Sequence, residues 1–330
     1  MSILKNRFKG QFNYLHSIKH ILFLVGFCTV GLLSYGQQEG YREFDNVYLG
    51  SDASVVNCFV QDKQGLIWMG TDKGLFSYNG YTMQRHIFPF TESKNPSNTR
   101  INCGILLDDL HLILGFDNGV RIYNLETNSY EETPIKFPKD IRSLVLVGDR
   151  LWIGSLNGLY QYNTKTHQLG TISAGLPHRT IYSILKSKQN TLFVGTYNGL
   201  CYLSPGATRF QKIDLPVQSF KNSLLVNSLL EDPTRNCIWI GAEGYLFKYT
   251  PTTKSVERIG EFTGNSVKSL ALDQHQNLLL GTDNGLYLYN KEQHVLKHIV
   301  HDSRYGKSLT NNIIWSIFID RQKNAWFGTD

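Results

Sequence analysis

The strongest constraint on this chain is a short phrase that returns seven times. It reads GLIWMGTDKGLFSYN from Gly65, LHLILGFDNGVRIYN from Leu110, RLWIGSLNGLYQYN from Arg150 and TLFVGTYNGLCYLS from Thr191. It returns as CIWIGAEGYLFKYT from Cys237, NLLLGTDNGLYLYN from Asn277 and NAWFGTD from Asn324. The anchoring glycines are Gly70, Gly115, Gly154, Gly195, Gly241, Gly281 and Gly328, spaced 45, 39, 41, 46, 40 and 47 residues apart, a mean of 43. Such a period marks one supersecondary unit stacked many times, each copy burying a face that it cannot bury alone.

Each copy has the same parts. About twelve residues before the glycine, a small residue follows a polar one inside an apolar stretch: Cys58, Cys103, Ser143, Ser183, Ser228, Ser269 and Ser316. Four residues later Asp62, Asp232, Asp273 and Asp320 open a polar turn. A second strand carries a bulky residue two before the glycine, as in Trp68, Phe193, Trp239 and Trp326. A tight turn such as Asp283-Asn284-Gly285 leads to a third strand that usually closes on Tyr, and a less regular fourth follows. Four short antiparallel strands per 43 residues make the blade of a β-propeller. The expected fold is all-β, a seven-bladed propeller over residues 37–330 built of four-stranded antiparallel blades. Because Asp330 falls inside the seventh motif, the last blade is expected to be incomplete, with Tyr41–Tyr48 able to supply an outer strand.

The first 36 residues read differently. Lys5, Arg7, Lys9 and Lys19 precede an apolar run, Ile21–Leu33, and Ser34-Tyr35-Gly36 places small residues where a signal peptidase cuts. Thirteen helical residues reach about 20 Å, short of a hydrocarbon core of about 30 Å. Residues 1–36 are thus expected to be a secretory signal peptide, with an uncleaved membrane anchor as the alternative. Phe27 before Cys28 argues against a lipoprotein. The formal charge of +6 then falls to +2, because the leader holds four basic residues and no acid. No single-sign block remains, so nucleic-acid binding is not expected.

Several groups resemble chemistry without completing it. Cys58 and Cys103 stand where the other repeats carry Ser, so they are read as small packing residues, and a Cys201–Cys237 bridge would be incidental to the fold. His294, His298 and His301 have ligand-like spacing, but on an edge strand His301 points away from the other two, and no acid or Cys completes a metal site. Gly306-Lys307-Ser308 lacks the glycine and the helix of a phosphate loop. No catalytic constellation and no cofactor motif is found. A ligand is expected on the rim where the turns between second and third strands meet the interblade loops. Those loops are 92–100, 176–179, 218–223 and 302–309. The candidate residues are Arg100, Phe116, Asn118, Arg179, Tyr197 and Asn198, a mixture of ring faces, amides and cations that suits a sugar.

The phrase D-x-x-G-x-Φ-W-Φ-G-T-x-x-G-L-x-x-Y-N at Asp62–Asn79 resembles the two-component regulator propeller repeat, and Gly306–Asn312 is similar to the interblade phrase of that family. Repeat five departs most, since Gly244 comes one residue early, and repeat two lacks Trp. The resemblance implies the N-terminal periplasmic sensor of a hybrid two-component system from glycan-degrading Bacteroidetes. Such a sensor recognises oligosaccharides, acts as a homodimer in the full-length protein and controls polysaccharide-utilisation genes through a kinase portion. No nucleic acid and no cofactor is implied for this segment, and membrane contact only through the N-terminal segment or later parts. The alternatives are an exported propeller enzyme, a lyase or glycosidase, and a scaffold for protein partners.

Overall fold

The computed structural model describes residues 2–6, 43–49, 55–87, 99–133, 135–217, 224–290 and 295–330. All regular structure among them is β. The strands form five four-stranded sheets and one six-stranded sheet, and every pairing is antiparallel. The first repeat shows the plan: Val56–Gln61, Ile67–Thr71, Gly74–Tyr78 and Met83–His86 lie side by side in sequence order. Repeats five and six share the six-stranded sheet. There the strand Cys237–Thr250 runs through the position of the usual turn, and Ser255–Leu272 serves as outer strand of one unit and inner strand of the next. The early Gly244, with φ of 80°, lies inside that continuous strand instead of ending it.

The sheet of the last repeat has four strands, against the expectation of an incomplete one. Ile314–Ile319 and Ala325–Thr329 are its inner pair, Ser2–Asn6 pairs with Ala325–Gly328 in the third place, and Asp45–Tyr48 forms the outer edge. The apolar run Ile21–Leu33 and the Ser34–Gly36 cleavage site lie outside the described residues.

The repeated glycines are explained by what they touch. A Cβ on Gly70 would lie 2.5 Å from Ile101 and 2.6 Å from the Cys58 sulfur, and one on Gly281 2.4 Å from Ser269 Oγ and 2.7 Å from Ile314. Six of the seven glycines face the small residue of their own repeat, and all seven, Gly154 included, face the first β-branched residue of the next. The series closes where Gly328 abuts Val56 and Ser316 Oγ donates to the Val56 carbonyl at 2.8 Å. The β-branched residues Val56, Ile101, Ile141, Ile181, Val226, Val267 and Ile314 are fully buried, each worth about 1.5–3 kcal/mol of apolar transfer. Neighbouring inner strands thereby stand against one another in a closed ring.

The Asp and Trp of the repeat prove to be partners. Trp68, Trp239 and Trp326 donate their indole N–H to Asp62, Asp232 and Asp320 at 2.8, 3.1 and 2.9 Å. Each pair satisfies a buried indole inside the interblade core. The G-T-x-x-G segment is likewise closed by its threonine, since Thr71 and Thr282 donate to the Gly74 and Gly285 carbonyls at 2.8 and 2.9 Å. In the Asp283-Asn284 turn only the following Gly285 has positive φ, 93°, so a left-handed glycine completes the reversal.

Candidate functional site

Each inner strand carries one β-bulge at the same place. The register slips between Val56 and Cys58, Ile101 and Cys103, Ile141 and Ser143, and Ile181 and Ser183. It slips again between Val226 and Ser228, Val267 and Ser269, and Ile314 and Ser316. A bulge inserts one extra residue and re-aims its side chain. The extra residues are Asn57, Asn102, Arg142 and Tyr182 in the first four repeats, then Asn227, Lys268 and Trp315. All seven line one cavity of about 380 Å³, together with Arg100 and Leu156. Arg100 precedes an inner strand and Leu156 follows a second strand, so the cavity opens on the rim where interblade loops and second turns meet.

Hydrogen bonds fix the wall. Asn57 Nδ2 donates to the Ile101 carbonyl at 2.8 Å and Asn102 Nδ2 to the Ile141 carbonyl at 3.0 Å. Asn102 also donates to Asp117 Oδ1 at 2.7 Å and accepts from Arg142 Nη1 at 3.1 Å. Asp117 lies 3.6 Å from the Arg142 guanidinium, and Asp283 lies 2.9 Å from Lys268 Nζ. The Lys268 ammonium sits 4.1 Å from the centroid of the Trp315 ring, whose N–H donates to Asp330 at 2.7 Å. Burial pushes the Tyr182 hydroxyl above its usual pKa; Arg142 opposes this, and Tyr197 and Glu243 add to it. The mouth thus combines amides, cations and two aromatic rings, which can grip hydroxyls, a ring face or an anion.

Of the six residues singled out in the sequence, Arg100 lines this cavity. Tyr197 stands beside it, 42% exposed, its ring 5.2 Å from that of His178 and coupled electrostatically to Tyr182. Arg179 is exposed, and the backbone N–H of Asn198 donates to Thr196 Oγ1 at 3.1 Å within its turn. Asn118 is half-buried in the turn after Phe116. Phe116 is corrected outright: it is 1% exposed, in the core with its ring against Tyr130, and offers no face to a ligand. Of the loops expected on the rim, residues 92–98 and 218–223 lie outside the described residues. The bulged residues were missed because a strand read by alternation gives no hint of an extra residue. Their signal was the polar or variable residue before each aligned small one.

A second, larger cavity of about 550 Å³ lies at the opposite end of the strands between repeats one and two. Its polar groups already hold structure: Asp62 binds Trp68 and the Leu66 N–H, and Asn79 caps the N–H groups of Tyr81 and Thr82. The ligand-like motifs are also occupied. His298 stacks on Tyr287 at 4.1 Å and bonds the Asn284 carbonyl, while His301 bonds that of Leu309; His294 lies outside the described residues. Among the described residues no group of His, Cys, Asp or Glu is arranged to hold a metal. Lys307 of the Gly306-Lys307-Ser308 turn pairs with Glu43 at 2.5 Å, and its carbonyl accepts the Phe44 N–H. That turn fastens the N-terminal segment. All four described cysteines are free thiols, and burial pushes Cys58 and Cys201 up to about 12.

The sequence profile described as Two component regulator propeller matches residues 48–73 and 308–330. These stretches contain the Trp68 motif and the end of the Gly306–Asn312 phrase. The chain carries the two-component regulator propeller repeat. A structure described as the extracellular domain of the hybrid two component system BT4673 from B. thetaiotaomicron is 52% identical with a TM-score of 0.83, over 88% of this propeller and 39% of that chain. The extracellular domain of BT3049 from the same organism is 20% identical with a TM-score of 0.68, over 84% of this chain and 39% of that one, which speaks for the fold alone. Histidine kinase P4 of Formosa agariphila is 28% identical over 202 residues, 56% of this chain and 12% of that protein. The propeller therefore spans about two fifths of the solved relatives and about an eighth of the kinase. Among the described residues no helix is long and apolar enough to cross a membrane.

Proposed function

We propose that this chain is an exported, seven-bladed sensor propeller of a hybrid two-component system, lying in the periplasm and binding an oligosaccharide at its axial mouth. One observation carries the reading. Seven bulges turn one side chain per repeat into the same cavity, where packing alone would favour apolar residues. Tyr182 and Trp315 supply ring faces, and Asn57, Asn102 and Asn227 supply amides, the pairing of surfaces that a pyranose requires. The likeness to extracellular domains of two-component systems and to a histidine kinase supports a sensor that passes its signal to a kinase portion. The ligand would favour one arrangement of a propeller homodimer and so shift its population, switching polysaccharide-utilisation genes.

Thermal-shift screening of the chain against an oligosaccharide panel tests this. At least one saccharide is expected to stabilise it, with the stabilisation lost in Tyr182→Ala and Trp315→Ala. If no saccharide stabilises the chain, or if both variants respond as the parent does, the axial site is excluded.

A further inference from the structure

We infer that the saccharide taken at the axial mouth carries a negative charge, a uronate carboxylate or a sulfate ester, held by Arg100, Arg142 and Lys268. This rests on the axial mouth being the ligand site. Three cations and no carboxylate line the cavity. Cations crowded into about 380 Å³ repel one another across a partly desolvated space, so such a grouping needs anions close by.

The acids nearby balance only part of this charge, and from behind the wall. Asp117 touches Arg142 and Asp283 touches Lys268, both from the turns between second and third strands, and neither lines the cavity. Asp330 is engaged by the indole of Trp315, and Glu243 acts on Tyr182. Arg100 differs from the other two cations, because its Nε is buried with no acceptor among the described residues. A buried donor left unmade costs about 1–3 kcal/mol, more when charged. An anionic oxygen would relieve that cost once the Arg100 fork turns into the cavity that it lines. A guanidinium fork meets carboxylate and sulfate oxygens bidentately and with opposite charge, which a single neutral hydroxyl cannot offer. Lys268 adds a point charge held in place by Trp315 and Asp283.

The test uses the full chain and calorimetric titration with matched probes: tetragalacturonate, a sulfated cello-oligosaccharide, the uncharged parent of each, and inorganic sulfate. At least one charged probe should bind about tenfold or more tighter than its parent, with the preference shrinking as salt rises. Arg100→Gln and Arg142→Gln should each erase most of that preference, and Arg142→Lys should restore part of it. Circular dichroism confirms folding, and Lys268→Gln serves if either arginine variant unfolds. Equal binding of parent and charged probe overturns the inference but leaves the saccharide site standing, as does a charge preference untouched by the variants. Sulfate binding lost in the variants, with no saccharide bound, keeps the anion site and removes the saccharide reading. If none of the probes binds, both readings fail.

Discussion

Lys268 holds its ammonium 4.1 Å from the centroid of the Trp315 ring. Both residues occupy the bulge of their inner strands, in adjacent repeats, so the contact exists only because the strands slip at the same level. The indole is pinned at its N–H edge by Asp330. Trp68, Trp152, Trp239 and Trp326 are buried, each under 10% exposed, which leaves Trp315 as the indole at the mouth. Lys268→Met should therefore shift the tryptophan emission and cost about 0.5–1 kcal/mol, the scale of a partly exposed cation–π contact. An unchanged spectrum would show that the pair does not form in solution.

The closed ring of glycines makes a sharper demand on stability. Gly281→Ala would set a methyl 2.4 Å from Ser269 Oγ, 2.7 Å from Ile314 Cγ2 and 3.1 Å from the Ile314 carbonyl. The carbonyl cannot rotate away, so the neighbouring repeat has to move, at a cost of about 3 kcal/mol or more. Gly170→Ala, with nothing within 4 Å and no left-handed backbone, should change stability by less than about 0.5 kcal/mol. Urea denaturation of the two variants separates them. Equal midpoints would mean that the glycine repeat is not a packing device.

Much of this architecture was legible in the sequence, because packing between repeats leaves one small residue and one bulky residue per unit at a fixed interval. Gly70 and Trp68 announce the blade, and Asp283-Asn284-Gly285 announces its hairpin. Starting the turn directly after the repeat glycine put Phe116 on the rim, whereas the strand His111–Phe116 runs one residue further. The residue after a repeat glycine points into the core, where Phe116 joins Trp68 and Tyr123. The site itself was only half visible. Arg100 was found through its loop, but Arg142, Tyr182 and Lys268 sit within strands, and a bulge leaves no mark in an alternating pattern. Nor could spacing reveal that Asp62 exists to receive the indole N–H of Trp68, six residues on.

That Asp–Trp pairing should differ in worth between repeats. Asp232 is fully buried and also accepts from Arg235 at 2.6 Å, whose guanidinium reaches on to the Gln276 carbonyl of the next repeat at 2.7 Å. Burial raises the Asp232 pKa, but the bonds from Thr234, Trp239 and Arg235, with the Arg235 charge, outweigh it and leave the carboxyl below its usual range. Asp232→Ala strands a nearly buried cation and should cost about 3 kcal/mol or more. Asp62→Ala leaves only the Trp68 and Leu66 N–H groups without their carboxylate and should cost about 1–2 kcal/mol. Chemical denaturation that ranks the two variants the other way would assign the stabilisation to the indole bond alone.

His86 gives the fold an acid sensitivity in a window of its own. Its ring lies between repeats one and two, with Nε2 2.8 Å from Ser77 Oγ, Nδ1 2.6 Å from the Tyr123 hydroxyl, and the Trp68 ring 4.8 Å away. Burial lowers its pKa from 6.5 to about 4. The unfolded chain therefore takes up a proton below pH of about 6.5 that the native protein refuses until about 4, and native stability falls as pH drops through that interval. The loss should reach the order of 2 kcal/mol by the lower end. His86→Gln should be less stable at neutral pH by about 1–2 kcal/mol, since two buried hydroxyls lose their partner geometry. It should nevertheless show a flatter melting temperature between the two pKa values. If the acid slope of the variant equals that of the parent, another group titrates there, and the imidazole between Ser77 and Tyr123 is not held neutral by burial.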